Sequence, residues 1–381
     1  MDSFTSERFD VAIVGAGPAG CSAGLQLARA GASVVIIEKR SSFQRRLGET
    51  LPPVISKVLR TLKLWEDFLQ IGPVPSSCNA SAWGSSDLTF NDFLFDVEGQ
   101  GWHTDRGQLE RMLAQTVENA GAKLHLGSRV RSCTRTGANW LLEIMSGVTT
   151  KYCRAEFLID ASGRSPINCK IGRGRRLVCD YMIAVGVYVL VSAMQTAYSY
   201  TLVEAIDEGW FYSAQLGPRD AVICYMTDAD LYAHGRRRSQ QYWREQLGKA
   251  IHTKYRFGEF QIACDPFFAA ANTSVRTPVI AQNWMAIGDA AISFDPLSSS
   301  GINDALRSGV HAAEAVVALK GGKAEALDDW CQSVRTAFSS FLIARKKIYE
   351  IERRWMESPF WKRRQSSPST GGNGARRPEE A

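Results

Sequence analysis

Three glycines, Gly15, Gly17 and Gly20, stand at G-x-G-x-x-G spacing between two apolar runs, and Glu38 closes the second run. This spacing suits a diphosphate. Gly15 permits a tight turn, Gly17 lets the backbone approach a pyrophosphate, and Gly20 lets a helix pack closely on a strand. Pro18 and Ala19 complete the turn, and the helix that follows points unpaired N–H groups and its positive end at the phosphates. Glu38 is placed to accept hydrogen bonds from ribose hydroxyls, and its charge repels a 2′-phosphate. The pattern therefore predicts the adenosine diphosphate part of FAD or NAD.

A second constellation separates those two. Gly288-Asp289 ends an apolar run, and its carboxylate suits the ribityl hydroxyls that a flavin nucleotide has and NAD lacks. Gly301, Ile302 and Asn303 open a helix whose backbone N–H groups would face the flavin N1–C2=O edge and stabilise the negative charge of the reduced ring. Pro296 and Gly301 add no bulk beside that ring. Asp160 and Gly163, within Asp160-Ala161-Ser162-Gly163-Arg164, supply a turn beside the pyrophosphate, and Arg106 reaches the same phosphates. Each fragment alone reads equally as a turn or a cap; their order together points to FAD. Lys39, Arg40, Arg45 and Arg46 read either as neutralising cofactor phosphates or as a solvated charge run.

These residues need elements to hold them. The pattern predicts a strand over 9–14, a helix over 21–30, a strand over 33–37, one helix over 54–70, and a helix capped by Asp105 that ends near Gly121. From Ile183 to Thr227, β-branched and aromatic residues alternate with polar ones, as an antiparallel sheet does. A helix over 240–251 and a strand over 271–275 close that sheet. Helices are expected over 304–318 and 324–348, with a charged continuation to Trp361. The predicted fold class is α/β: an FAD-binding Rossmann-like domain of the glutathione reductase type with an inserted antiparallel β-sheet substrate domain and C-terminal helices. The expected boundaries are 1–75, 101–172 and 273–320 for the FAD-binding domain and 76–100 with 173–272 for the substrate domain. The helices take 321–362, and 363–381 is expected to be a disordered tail.

With 381 residues, 45% of them hydrophobic, the chain can bury the cores of two domains. Its net charge of +6 is modest, and Arg363, Arg364, Arg376 and Arg377 against Glu379 and Glu380 concentrate part of it at the C-terminus, which argues against nucleic acid. The nine cysteines show neither C-x-x-C pairs nor metal-ligand spacing, so no metal site or disulfide scaffold is indicated. With no signal peptide and no apolar run of spanning length, a cytoplasmic protein is expected.

Gly15 to Gly20, Glu38, Arg106, Asp160 to Arg164, and Gly288-Asp289 with Pro296 and Gly301 together resemble the single-chain flavoprotein monooxygenases of the p-hydroxybenzoate hydroxylase fold, over about residues 8 to 350. Within that group, Gly48-Glu49-Thr50-Leu51-Pro52-Pro53 and the segment Asp295 to Ile302 are similar to the branch of flavin-dependent halogenases. That branch also holds the flavoproteins that mature lysine ε-oxidase, glycine oxidase and quinohemoprotein amine dehydrogenase by acting on a precursor tryptophan during tryptophylquinone biogenesis. The resemblance implies oxygen activation at the flavin, with a C4a-hydroperoxide attacking an electron-rich ring. Tryptophan halogenases carry a lysine where this chain has Trp83 and a glutamate where it has Ser298, and their Trp-x-Trp-x-Ile-Pro segment has no clean copy. Halogenation thus lacks its expected side chains.

Trp83, Trp210, Phe211 and Tyr212 read as walls of an aromatic pocket or as plain core. Glu49 reads as orienting substrate or as a helix-start carboxylate, and His103 as a base or a satisfied loop histidine. The leading expectation is an FAD-dependent monooxygenase acting on an aromatic substrate, a tryptophan in a partner amine oxidase precursor. It would use molecular oxygen and electrons from NAD(P)H or a reductase. The alternatives are a hydroxylase or halogenase of a small or carrier-bound aromatic metabolite, and a flavin-dependent reductase or binding partner. In the last case, the basic stretch from Arg345 to Arg364 would meet a membrane or an acidic partner, or be an exposed helix face.

Overall fold

A computed structural model describes residues 7–165, 167, 174–192, 199–234 and 240–365. The strand Glu7–Val14 is central to the first sheet, because its last four residues are apolar on both faces and fully enclosed. Parallel neighbours flank it: Val34–Ile37 on one side, continued by Lys123–His125, and Thr149–Asp160 on the other, continued by Trp284–Ala286. An antiparallel meander, Ser128–Thr136 and Asn139–Ser146, joins through Thr149–Asp160. Helix Pro18–Arg29 packs against helices Arg106–Asn119 and Gly301–Lys320, so this layer is drawn from distant parts of the chain.

The second sheet runs in the order Phe260–Ile262, Met182–Val191, Asp220–Asp228, Gly209–Gln215, Tyr200–Ile206, Cys78–Ala82, Thr89–Asp92. Its pairings are antiparallel with one correction to the sequence expectation: Tyr200–Ile206 and Cys78–Ala82 are parallel. The cause is connectivity. Cys78–Ala82 comes from the earlier part of the chain, not from a hairpin, so no short turn forces it to run antiparallel. Period-two alternation divides the two faces. Val185, Val187, Phe211, Ile223 and Tyr225 pack with Trp243 on one side. Trp210, Cys224, Met226 and Tyr188 pack with Tyr349, Phe360 and Trp361 on the other.

Several boundaries differ from those expected. The single helix over 54–70 is two, Ile55–Thr61 and Trp65–Gln70, because Lys63 turns the chain at φ +55°. The helix over 240–251 is likewise Gln240–Leu247 followed by Ile251–Arg256, and the strand over 271–275 lies at Ser274–Thr277. The long C-terminal helix Ala326–Ile351 stops before Glu352, and a separate helix, Pro359–Gln365, follows with its proline at the first position. The expected disordered tail therefore cannot begin at 363: Arg363 and Arg364 belong to that helix, and Arg364 is buried. Residues 366–381 of that expectation lie outside the described residues.

Candidate functional site

The glycine turn is built by close contact. Gly15 has φ +109°, and a Cβ there would lie 2.4 Å from the Ala161 carbonyl oxygen. A Cβ on Gly20 would lie 2.0 Å from the Gly15 carbonyl oxygen. Gly17 is different. It has an ordinary extended backbone at the N-cap of Pro18–Arg29, and a Cβ there would meet nothing within 4 Å. The backbone at Gly17 thus faces open space, with the first-turn N–H groups of Ala19 and Gly20 behind it and none from Pro18. Gly288, at φ +53°, lies close to the same helix: its Cβ would be 2.8 Å from that of Ala19.

Glu38 is buried at the end of its strand and accepts from the Ala16 N–H at 2.8 Å and from the Arg40 N–H and Nε at 2.9 Å. Arg40 also pairs with buried Glu110, which receives Arg106 Nε at 3.1 Å and lies 3.8 Å from Arg46. Three guanidinium groups share this one carboxylate. The Arg46 pKa is lowered to about 10, first by the Arg106 charge beside it and then by burial. That surplus of positive charge fits a diphosphate. Arg45 pairs with Asp105, and Lys39 donates to Ser165 Oγ at 3.2 Å, so the charge run is knitted into the fold instead of being solvated throughout. Arg106 also donates to the Leu47 carbonyl at 2.6 Å.

Asp160 is enclosed, accepting from the N–H of Ser162 at 3.1 Å and its Oγ at 2.6 Å, with Arg276 at 3.8 Å. Burial raises its pKa despite those partners. It shapes the turn containing Gly163, at φ +72°, from inside. Asp289 is partly exposed and receives Arg164 Nε at 3.1 Å, leaving carboxylate lone pairs for another donor.

The helix Gly301–Lys320 begins without a side-chain cap on Ser300, and Gly301 has open space where a Cβ would be. Ile302 and Asn303 are buried in its first turn, and Asn303 Oδ1 has no hydrogen-bond partner. An enclosed amide oxygen without a donor is costly unless a ligand supplies one. Together with open Gly17, this orphan makes the residues present a fit for a flavin dinucleotide.

Around the second sheet, the structure joins the aromatic and acidic candidates. Glu49 is buried, accepts from the Gly48 N–H at 2.9 Å and from Tyr188 Oη at 3.1 Å, and has its pKa raised to about 7 by burial. The next residue, Thr50, shares a hydrogen bond with Tyr212 Oη at 2.8 Å and another with Thr201 Oγ1 at 3.1 Å. His103 continues this chain, with Nε2 2.9 Å from Thr201 Oγ1 and Nδ1 3.1 Å from Ser199 Oγ. Enclosure lowers the His103 pKa to about 3. Both ring nitrogens thus have partners, and the imidazole is held neutral.

Trp210 is 1% exposed and Trp83 is partly exposed, and their rings meet edge-on at 6.3 Å. Trp83 also packs against Tyr349 and Trp361 and donates Nε1 to the Ile348 carbonyl at 2.8 Å. Sequence reading missed what closes this cluster. Asp295, immediately before Pro296, caps the Pro296–Ser298 turn through the Leu297 N–H and accepts from Arg345 Nε and Tyr349 Oη, both at 2.9 Å. Trp210 Nε1 donates to Tyr349 Oη at 3.2 Å. Pro296 therefore lies on a turn tied to the second sheet through the C-terminal helix. Asp295 before proline is a readable cap signal; nothing local marked Arg345, Tyr349 or Trp361.

The basic C-terminal stretch also has internal partners. Arg345 meets Asp180 and Asp295, Arg354 meets Glu352, and Arg363 and Arg364 meet Asp228. These four arginines do not form a free basic face. Among the described residues no group of His, Cys, Asp and Glu could hold a metal ion, and no helix is long and apolar enough to cross a membrane.

A family model described as "FAD binding domain" matches residues 8–343. An FAD-dependent oxidoreductase named LodB from Marinomonas mediterranea is 26% identical over 94% of this chain and 97% of its own length. Among solved structures, the myxobacterial chondrochloren halogenase CndH matches with TM-score 0.88 at 18% identity, covering 96% of this chain and 87% of that one. The peptidyl tryptophan dihydroxylase QhpG, described as essential for tryptophylquinone cofactor biogenesis, matches with TM-score 0.75 at 21% identity, covering 97% and 81%.

Proposed function

Since the chain belongs to the FAD binding domain family and is an FAD-dependent oxidoreductase, we propose that it hydroxylates an electron-rich aromatic ring, specifically a tryptophan in the precursor of a partner tryptophylquinone amine oxidase. The observation that carries this reading is Trp83. Where tryptophan halogenases have a lysine, this chain has an indole whose N–H is spent on the Ile348 carbonyl and whose ring is packed against Trp210, Tyr349 and Trp361. No ammonium is offered to a halogen oxidant there. Ser298, at the position of the halogenase glutamate, donates its hydroxyl to the Asp295 carbonyl at 3.1 Å. The description of QhpG as a peptidyl tryptophan dihydroxylase essential for tryptophylquinone cofactor biogenesis supports the maturation role.

Bound FAD supplies the redox and oxygen chemistry. The chain's part is to bind, orient and exclude water. Open Gly17 and the arginines around Glu110 would hold the diphosphate, and Asn303 with the start of its helix would meet the flavin edge. The aromatic cluster on the second sheet would keep the reacting ring in a dry setting and limit loss of the oxidant as hydrogen peroxide. Glu49 would hold or release one proton near neutral pH.

The test is mass spectrometry of a tryptophylquinone amine oxidase precursor co-expressed with this protein, with a Gly17→Glu variant as the FAD-free control. A gain of one or more oxygen atoms on a tryptophan peptide, absent with the variant, is expected. A gain of chlorine or bromine instead would move the assignment to halogenation. No change with yellow, FAD-loaded protein would sink the role for that precursor and favour a small or carrier-bound aromatic substrate.

A further inference from the structure

The strand Thr89–Asp92 is an edge. It pairs with Cys78–Ala82 on one side and, among the described residues, with no strand on the other. All four of its residues are exposed. Large apolar side chains surround it: Phe90 is 56% exposed, Leu94 76%, Phe95 91% and Val97 99%. Single exposed apolar residues are ordinary, but four within eight residues beside an unpaired edge are the mark of an association site.

The segment has a fixed shape. The Leu94 N–H donates to Asp92 Oδ1 and the Glu98 N–H to Asp96 Oδ1, each at 2.9 Å, while Ser56 Oγ donates to Glu98 Oε2 at 3.0 Å. It is also acidic in a chain of net charge +6. No lysine or arginine occurs between Lys63 and Arg106, and Asp87, Asp92, Asp96 and Glu98 surround the apolar residues.

We propose that Thr89–Asp92 and the adjoining Phe93–Val97 loop dock an extended polypeptide segment of apolar and basic residues, added as a further strand of the second sheet. This rests on the reading that the substrate is a polypeptide, and names where that polypeptide binds. Strand addition would satisfy the outward backbone groups, the apolar side chains would be covered, and lysines or arginines of the partner would meet the carboxylates. The same acidity selects among occupants. Two copies joined through this patch would bring like charges together, and an anionic membrane surface would be repelled.

The patch is continuous with the candidate site. Its inner neighbour, Cys78–Ala82, leads directly into Trp83, and the sheet continues through Tyr200–Ile206 to the strand bearing Trp210 and Tyr212. That is three strand spacings, about 14 Å. The Phe90 ring lies 5.9 Å from that of Tyr200. A partner strand held at this edge has its neighbouring residues within a short chain length of the aromatic cluster.

The experiment uses the FAD-loaded full chain, the purified unmodified precursor, and the variants Phe95→Lys and Val97→Lys. Both replace side chains more than nine-tenths exposed, so the fold and the flavin spectrum should be unchanged. Expected results are about tenfold weaker precursor binding by calorimetry, slower oxygen gain on the precursor, and hydrogen-exchange protection of 89–97 when wild-type protein binds it. Equal binding and equal oxygen gain by the variants, with no protection at 89–97, would overturn the docking site while leaving the polypeptide-substrate reading intact. No oxygen gain by wild-type protein would overturn that reading and the docking site together. Concentration-dependent self-association protecting 89–97 without precursor, or binding to phosphatidylglycerol vesicles that Phe95→Lys changes, would assign the patch to another occupant and overturn the proposal.

Discussion

Glu49 is a carboxyl enclosed by the Gly48 N–H and the Tyr188 hydroxyl, with the Arg106 charge acting to lower its pKa and Tyr212 close by. Burial outweighs those partners and lifts its pKa from 4.5 to about 7. Because the folded state holds this proton more tightly than the unfolded chain, its stabilising contribution is full below about pH 4.5 and is lost as pH rises to about 7. Wild-type stability should therefore fall relative to Glu49→Gln across that window, by up to about 3 kcal/mol. Urea unfolding of both proteins at pH 4.5, 6 and 8 checks this; parallel stabilities at all three would show that folding leaves the Glu49 pKa unshifted. The sequence marked Glu49 through its Gly-Glu-Thr context, yet its acidity follows from an enclosure formed with Tyr188, which lies far along the chain.

At the scale of elements, the C-terminal helices do more than extend the fold. Pro359–Gln365 inserts Phe360 and Trp361, both fully buried, under the second sheet, and Trp361 donates Nε1 to the Ile206 carbonyl at 2.9 Å. Arg364, 4% exposed, closes on Asp228 at 2.6 Å. Trp361→Ala should cost about 3–5 kcal/mol through the lost contacts and the cavity left behind. In urea titration the midpoint should drop by the corresponding amount; a change below about 1 kcal/mol would mean the site collapses around the smaller side chain. Amphipathic spacing indicated helices here, but the charged residues gave no sign that several arginines have carboxylate partners on other elements.

Across the whole molecule, the second sheet is tied to distant parts of the chain through a few polar contacts beside the candidate site: Thr50 with Tyr212, Glu49 with Tyr188, and Asp295 with Tyr349 and through it Trp210. FAD at a thousandfold excess over its Kd should add about 4 kcal/mol to the folded state and raise the melting temperature. Gly17→Glu should remove this shift while leaving the melting temperature of the FAD-free protein nearly unchanged, since a Cβ at Gly17 would meet nothing within 4 Å. Differential scanning calorimetry with and without added FAD measures both; a full FAD shift in the variant would refute the assigned role of Gly17.

The sequence by itself determined the dinucleotide turn, because Gly15, Gly17, Gly20 and Glu38 lie within one strand-turn-helix-strand unit whose geometry is local. It also determined the capped helix after Asp105, where Asp105 accepts from the N–H groups of Gly107 and Gln108, and the alternating strands of the second sheet. Tertiary structure alone decided the rest. It placed Arg40, Arg46 and Arg106 around Glu110, made His103 neutral, and tied Asp295 to Arg345 and Tyr349. Periodicity shows which side of an element is apolar; it does not show which distant element covers that side. Hydrogen bonds, desolvation and pKa depend on that cover, so the chemistry of these side chains was fixed only when the chain closed on itself.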